Sequence, residues 1–399
     1  MLDNYQCKCL RREYMLQIEY ISKNKLIVKD QSSIDILKKG FFGTFEDKIL
    51  KLNIFEVLYL IEIRNAVCKK KSTEVTFAEL LSMFNNSKKF IAKYFTYKDW
   101  RDRGLIAKDT VFFKENSNKA PVKEYPSGKL SLPQYHLDGT FFQSDLVSII
   151  NDDEKGKFLY ENFWLGQYGS YKAPERGKLN KLDIYETYFL LEKNILNSDS
   201  FNKKKILSSA KARRKDFLKL FEVYSDWREK GYVIKTGFKF GTHFRVYFPG
   251  AKPVKKDDKE WVHSKHVIHV FPKDSRLLIS EWARAIRVAH SVRKTFILAV
   301  PGVSVNKKIK LDFILYHRRG GEAESPDMFP PRYAMLSLSE EKYIGGKEFA
   351  GAIKEAKDKK LELILAITDR ETAVTYYKIK KILLKGSNAD YYEIDWLQP

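Results

Sequence analysis

Two stretches of the chain, 127 residues apart, carry nearly the same text. Residues 94–108 read YFTYKDWRDRGLIAK and residues 221–235 read FEVYSDWREKGYVIK, so that Tyr97, Trp100 and Gly104 match Tyr224, Trp227 and Gly231 at one offset. Upstream, KLNIFEVLYLIE (51–62) matches KLDIYETYFLLE (181–192) at offset 130, and Gly40-Phe41-Phe42-Gly43 matches Gly166-Gln167-Tyr168-Gly169 at offset 126. Ordered blocks at nearly one offset point to duplication of a whole small domain, which restricts the fold to one unit built twice. A second repeat follows. LLISEWARAIRVAHSVRKTFILAV (277–300) matches IGGKEFAGAIKEAKDKKLELILAI (344–367) without gaps at offset 67.

Stretches rich in Pro, Gly, Ser and charge at 115–130 and 318–331 read as linkers. The chain then divides into a degenerate N-terminal-type repeat (1–114), a complete unit (131–225 and 226–317) and a degenerate C-terminal-type repeat (332–399). Periodicity gives helices over 53–64, 84–103, 184–194, 210–230 and 276–293, and strands over 233–248, 262–271 and 295–300. The expected fold is a mixed α/β (α+β) assembly of duplicated small domains, arranged as half-copy, full copy, half-copy.

Lys and Arg number 73 against 51 Asp and Glu, a net charge of +22. A surplus of that size belongs on solvent-facing surface and selects polyanions as partners, nucleic acid ahead of membrane. The apolar run Ile54–Ile63 is short and interrupted by Glu56 and Glu62, so no membrane span is expected. Cys7, Cys9 and Cys68 are too few for a disulfide scaffold and lack the paired spacing of a zinc site. With no signal-like segment at the N-terminus, a cytoplasmic location is expected.

No phosphate-binding glycine loop and no metal-ligand spacing is present, and Asp257-Asp258 lie in a lysine-rich turn. His263, His266 and His269 recur every third residue. On a strand His263 and His269 would share a face, with His266 opposite. On the helix at 276–294, Arg284, Arg287, Ser291 and Lys294 fall on one face without interleaved acids. That face is either a solvated basic side or a seat for a phosphate.

The blocks Gly231–Tyr247 (GYVIKTGFKFGTHFRVY), His263-Ser264 and Arg287–Lys294 (RVAHSVRK) together resemble the archaeal tRNA-splicing endonuclease family, in its three-unit homodimeric form. The resemblance implies the family's N-terminal α/β domain and nuclease-like C-terminal domain. It also implies a metal-independent triad without cofactor: Tyr247 as base, His263 as acid and Lys294 as the cation holding the phosphorane charge. The implied substrate is precursor tRNA with a bulge-helix-bulge motif, cut by its own 2′-OH to leave a 2′,3′-cyclic phosphate and a 5′-OH. Arg287 matches a family arginine that stacks on a bulge base. Aligned at offset 67, the C-terminal repeat has Leu361 in place of Lys294 and Pro330-Pro331 near the histidine position, and it begins after the tyrosine position, so a single triad per chain is expected. Two intron ends then call for a homodimer.

The family's acidic docking loop corresponds to Thr368–Thr372, with Asp369 and Glu371. An ordinary polar hairpin is the alternative there. The full copy inserts SYKAPERGK (170–178), whose Lys172, Arg176 and Lys178 either touch RNA or are simply solvated. Alternation in the tail (Tyr391, Tyr392, Ile394, Trp396) suits either an edge strand for another unit or a cover for its own core.

Overall fold

Branched apolar segments such as TFILAV and ELILAIT suit strands buried on both faces, and both lie inside the main sheet. The computed structural model describes residues 16–110, 113, 122–197, 201–253, 255–256, 260–302 and 309–399. Eleven strands make one mixed sheet. In chain order they are β1 (Ala107–Asp109), β2 (Lys123–Tyr125), β3 (Val233–Thr236), β4 (Phe244–Tyr247), β5 (His266–Val270), β6 (Thr295–Val300), β7 (Phe313–Leu315), β8 (Tyr333–Ser339), β9 (Glu362–Thr368), β10 (Val374–Leu384) and β11 (Asp390–Leu397). Across the sheet they run β3-β4-β5-β6-β11-β10-β9-β8-β7-β1, with β2 beside β10.

That order is the same from either edge, and so are the pairings. β3–β4 and β1–β7 are antiparallel, β5–β6 and β8–β9 parallel, and β6–β11 and β9–β10 antiparallel. Register makes the correspondence residue by residue. Val246 faces His266, which faces Thr295; Leu315 faces Tyr333, which faces Glu362. Tyr247, His263 and Lys294 therefore correspond to Tyr316, Pro330 and Leu361. The tyrosine position is filled in both halves, by a residue that lies before the expected start of the C-terminal repeat.

Alternate residues of each strand serve opposite faces. Phe296 and Leu298 join Leu363 and Leu365 under helices α5 (Ile279–Ser291) and α6 (Gly346–Asp358), where Trp282, Ile286, Phe349 and Ala352 are buried. On the other face, Ile297 and Ala299 meet Tyr224 and Trp227 of α4 (Phe217–Glu229), and Ile364 and Ala366 meet Tyr97 and Trp100 of α2 (Phe90–Asp102). The repeated Tyr-x-x-Trp is thus one core element used twice.

Each half also carries a small sheet with its own helices, six-stranded and mixed in the first half and four-stranded and antiparallel in the second. Helix α1 (Ile54–Arg64) begins in a capping box of Asn53 and Glu56, and α3 (Ile184–Glu192) in one of Asp183 and Glu186. Beyond the cap, Glu56 Oε1 accepts from Gly43 N at 2.8 Å and Glu186 Oε1 from Gly166 N at 3.0 Å. Lys108 Nζ donates to Gly43 O at 2.9 Å, and Lys235 Nζ to Gly166 O at 2.7 Å. A buried glutamate, a glycine and a lysine of the sheet's outer strand thus lock each small domain to the sheet. These bonds align Gly43 with Gly166, not with Gly169. The corrected offset enlarges the insertion: residues 44–46 and 49–52 are joined by the two-residue turn Asp47-Lys48, whereas Gln167–Tyr168 and Asn180–Leu182 are separated by residues 169–179.

Several boundaries differ from the sequence expectation. Residues 318–331 are no tether: Arg318–Arg319 pairs with Glu322–Ala323, and the buried Glu324 is bonded to His317 N and Arg319. This hairpin occupies the same place after β7 as Lys255–Lys256 and Glu260–Trp261 occupy after β4. The expected break at 317 therefore falls inside the Tyr316 half. In the other stretch, Tyr125 of β2 is buried and hydrogen-bonds Glu393. The tail is neither an edge nor a mere cover, because β11 sits mid-sheet and joins the two halves. Strand β5 begins at His266, so His263 lies in the preceding loop and the expected shared face with His269 does not form. Cys7, Cys9, Asp257, Asp258 and residues 303–308 lie outside the described residues. Cys68 is buried, and burial pushes its thiol up to about 11. No described helix is long and apolar enough to cross a membrane.

Candidate active site

The alternation of FRVY puts Arg245 and Tyr247 on one face of β4. The Tyr247 ring is buried among Tyr160, Trp164, Tyr168 and Val233, with the Trp164 ring centroid 4.6 Å away. Trp164, left-handed at φ 47°, ends the helix Asp153–Phe163, so the small domain supplies one wall of the site. His263 is exposed on the loop entering β5. Lys294 follows α5. Arg293, at φ 55°, turns the chain so that Lys294 N returns to Ala289 O at 2.9 Å. Its ammonium then donates to Ser264 O and to Ser264 Oγ, the latter at 2.9 Å, beside His263 in the chain.

Tyr247, His263 and Lys294 border one cavity of about 510 Å³ between the small domain and the sheet. Arg245, Lys239, Lys172 and Tyr171 border it as well, and Lys235 and Glu186 close its floor with an ion pair of 2.6 Å. Burial raises the Tyr247 phenol above its ordinary value, against the pull of Arg245, whose guanidinium lies 5.7 Å from the ring centroid. The net direction is opposite to what nearby cations alone would give, because desolvation of a phenolate outweighs a cation held at that distance. Burial, aided by Arg245, lowers Lys294. Burial also raises Tyr171, but its hydrogen bond to Arg245 and the charges of Arg245, Lys239 and Lys172 bring it below its ordinary value. A phenol, an imidazole and an ammonium around one space can accept a proton, donate one and hold negative charge.

The other expected residues are dispersed. Arg284, Arg287 and Ser291 are exposed on the outer face of α5 and do not border the cavity. Ser291 Oγ donates to Val288 O at 2.8 Å, and the charge of Arg287 only partly offsets the burial that raises the Tyr377 phenol. The four-residue face thus does not close on one anion. Of the inserted loop, Lys172 borders the cavity, whereas Arg176 and Lys178 do not. Asp369 is exposed and caps its own turn: its carboxylate accepts from Glu371 N and Ala373 N, both at 2.9 Å, while Arg370 is paired with Glu340 and Glu341. Glu371 is exposed. Arg245 and Trp164 were not singled out by sequence, although Arg245 stands two residues before Tyr247 and a strand's period places both on one face.

Residues 217–311 match the family model for the tRNA intron endonuclease catalytic C-terminal domain, and residues 18–81 the model for its N-terminal domain. With a duplicated α/β fold around a phenol–imidazole–ammonium cavity, the class is that of the tRNA intron endonucleases. The chain belongs to the tRNA-splicing endonuclease family. It is 38% identical over 135 residues to the tRNA-splicing endonuclease of Methanopyrus kandleri, covering 33% of this chain and 71% of that one. It is 27% identical over 346 residues to that of Methanococcoides burtonii, covering 70% and 94%. To that of Nanoarchaeum equitans it is 36% identical over 124 residues, covering 30% and 80%.

Proposed function

We propose that this chain cuts precursor tRNA at the bulge-helix-bulge boundaries of an intron, by transesterification without a metal. The observation that carries this reading is that Tyr247, His263 and Lys294, from three separate segments, border one cavity. RNA brings its own nucleophile. Tyr247 takes the 2′-OH proton, the oxygen attacks the adjacent phosphorus, and Lys294 holds the charge of the pentacoordinate phosphorane. His263 gives its proton to the departing 5′-oxygen, leaving a 2′,3′-cyclic phosphate and a 5′-OH. Because the free phenol is neutral at pH 7, proton removal draws on its small ionised fraction, which Arg245 enlarges.

The Tyr316 half, with Pro330 and Leu361 in the acid and cation positions, is the degenerate copy, made of residues from both ends of the chain. The live copy is threaded between β1 and β7. One triad per chain makes a homodimer the arrangement that serves two cuts, with the loop Thr368–Thr372, carrying Asp369 and Glu371, as the docking element. Lys172, Arg176, Lys178, Arg284, Arg287 and Ser291 remain proposed RNA contacts, of which Lys172 stands nearest the triad. The test is to incubate the purified protein with an intron-bearing precursor tRNA in excess chelator and map the termini. Cleavage to cyclic-phosphate and 5′-OH ends is expected; loss of cleavage with chelator, or 5′-phosphate ends, overturns the reading.

A further inference from the structure

Between β3 and β4 the live copy makes a tight turn. A 3-10 segment, Phe238–Phe240, is held by Gly237 N to His243 O at 3.0 Å and Phe240 N to Gly237 O at 2.8 Å. A Cβ on Gly237 would fall 2.4 Å from Thr242 Oγ1, and Gly241 sits at φ +62°. The sequence therefore commits two glycines to a turn whose tip is a benzyl ring in water. Phe238 is 86% exposed, the highest value among the exposed large apolar side chains of the described residues. Burying such a ring normally stabilises a protein, so its presentation at the rim of the triad cavity is unexplained by folding.

A second ring faces the same space. Tyr171, 55% exposed, comes from the inserted loop 169–179, and its hydroxyl is held by Arg245. Lys239 Nζ lies 5.1 Å from its ring centroid. The degenerate copy is an internal control. Its β1–β7 ladder pairs strands far apart in the sequence, β1 ending at Asp109 and β7 starting at Phe313, so the ladder does not depend on a hairpin turn. Its counterpart of the inserted loop is the two-residue turn Asp47-Lys48. Among the described residues, both rings stand in the copy that holds Tyr247, His263 and Lys294.

We propose that Phe238 and Tyr171 form a stacking station for the unpaired nucleobase beside the scissile phosphate, with Lys239 on a neighbouring phosphate. This rests on the RNA-cleaving reading of the cavity. Aromatic faces accept any base, and cations between them track the backbone, so the station fixes the nucleotide without reading its identity. It complements the triad, which has no flat apolar surface free to take a base because the Tyr247 ring is packed against Trp164.

The test uses full-length protein and a bulged RNA whose scissile nucleotide is 2′-deoxy, so that it binds uncut, with 2-aminopurine at the unpaired position. Quenching on binding is expected for the wild type, and its loss for Phe238→Ala together with binding weaker by on the order of tenfold to a hundredfold. Phe238→Trp is expected to restore both, which a merely structural role would not do. Quenching and affinity of Phe238→Ala equal to wild type would overturn the station. So would dissociation of the assembly by Phe238→Ala in sedimentation, which would make the ring a protein contact. Failure of the wild type to cleave the all-ribose RNA would instead sink the endonuclease reading.

Discussion

Arg245 is the residue on which the chemistry of Tyr247 turns. It shares a strand face with the phenol, opposes the upward push of burial, and holds the Tyr171 hydroxyl. Replacing it by glutamine leaves burial unopposed and raises the phenol further. The ionised fraction at pH 7 then falls, so single-turnover cleavage by Arg245→Gln is expected to drop several-fold to tens of fold, in keeping with about 1.4 kcal/mol per pKa unit. The deficit should stay constant from pH 6 to pH 9, where both phenols are mostly protonated and gain phenolate in proportion, and close only at higher pH as the wild-type phenol approaches full ionisation. Cleavage by Arg245→Gln at the wild-type rate at pH 7 would mean that Arg245 does not tune Tyr247. Lys294 is held differently, by two bonds to Ser264, whose carbonyl and hydroxyl are the neighbours of His263 in the chain. That tether explains how an exposed imidazole and a partly buried ammonium keep one spacing.

At the scale of elements, two buried groups decide how the live copy holds together. The first is the Glu186–Lys235 junction between the small domain and β3. Truncating Glu186 to alanine strands a buried ammonium and the Gly166 N–H, which is expected to lose about 3–5 kcal/mol in urea unfolding. Glu56→Ala is expected to do the same in the other half, since Gly43 N is bonded to Glu56 and Lys108 to Gly43 O. The second is the histidine set of His243, just before β4, and His266 and His269 on β5. Burial lowers His266 and His269 to about 4 and, with His269 and Arg214 beside it, His243 to about 2. Each is below the unfolded value near 6.5, so the unfolded chain binds the extra protons and stability is full above that pH and falls as the medium is acidified. The melting temperature is expected to decline steadily from pH 7 to pH 4, each histidine adding a slope of up to about 1.4 kcal/mol per unit. An unchanged melting temperature at pH 5 would show that these rings are solvated.

For the whole molecule, the sheet is palindromic about the β10–β11 pair, and the chain visits the degenerate half, then the live half, then the degenerate half again. The duplication itself was legible, because Tyr97/Trp100 and Tyr224/Trp227 fill equivalent cores and the gapless offset of 67 is the register of two parallel strand pairs. The three residues bordering the cavity were legible through the family wording around Tyr247, His263 and Lys294. What could not be read was connectivity. A Pro- and Gly-rich stretch such as 318–331 looks like a tether whether it links domains or forms a hairpin within one, and only strand pairing assigns β7 to the far half. Tyr316 was missed for that reason. Nor could spacing show that Ser291 would bond to its own helix, or that Asp369 would cap its own turn. Sedimentation should give a dimer, weakened by Glu371→Lys if the loop Thr368–Thr372 docks on the partner. The most direct measurement compares single-turnover cleavage of an intron-bearing precursor tRNA by Tyr247→Phe and Tyr316→Phe, which remove the same hydroxyl from equivalent positions in the two halves. A loss of roughly 10²–10⁴-fold for Tyr247→Phe, with Tyr316→Phe cleaving at the wild-type rate, is expected; equal losses, or a larger loss for Tyr316→Phe, would contradict a single live centre.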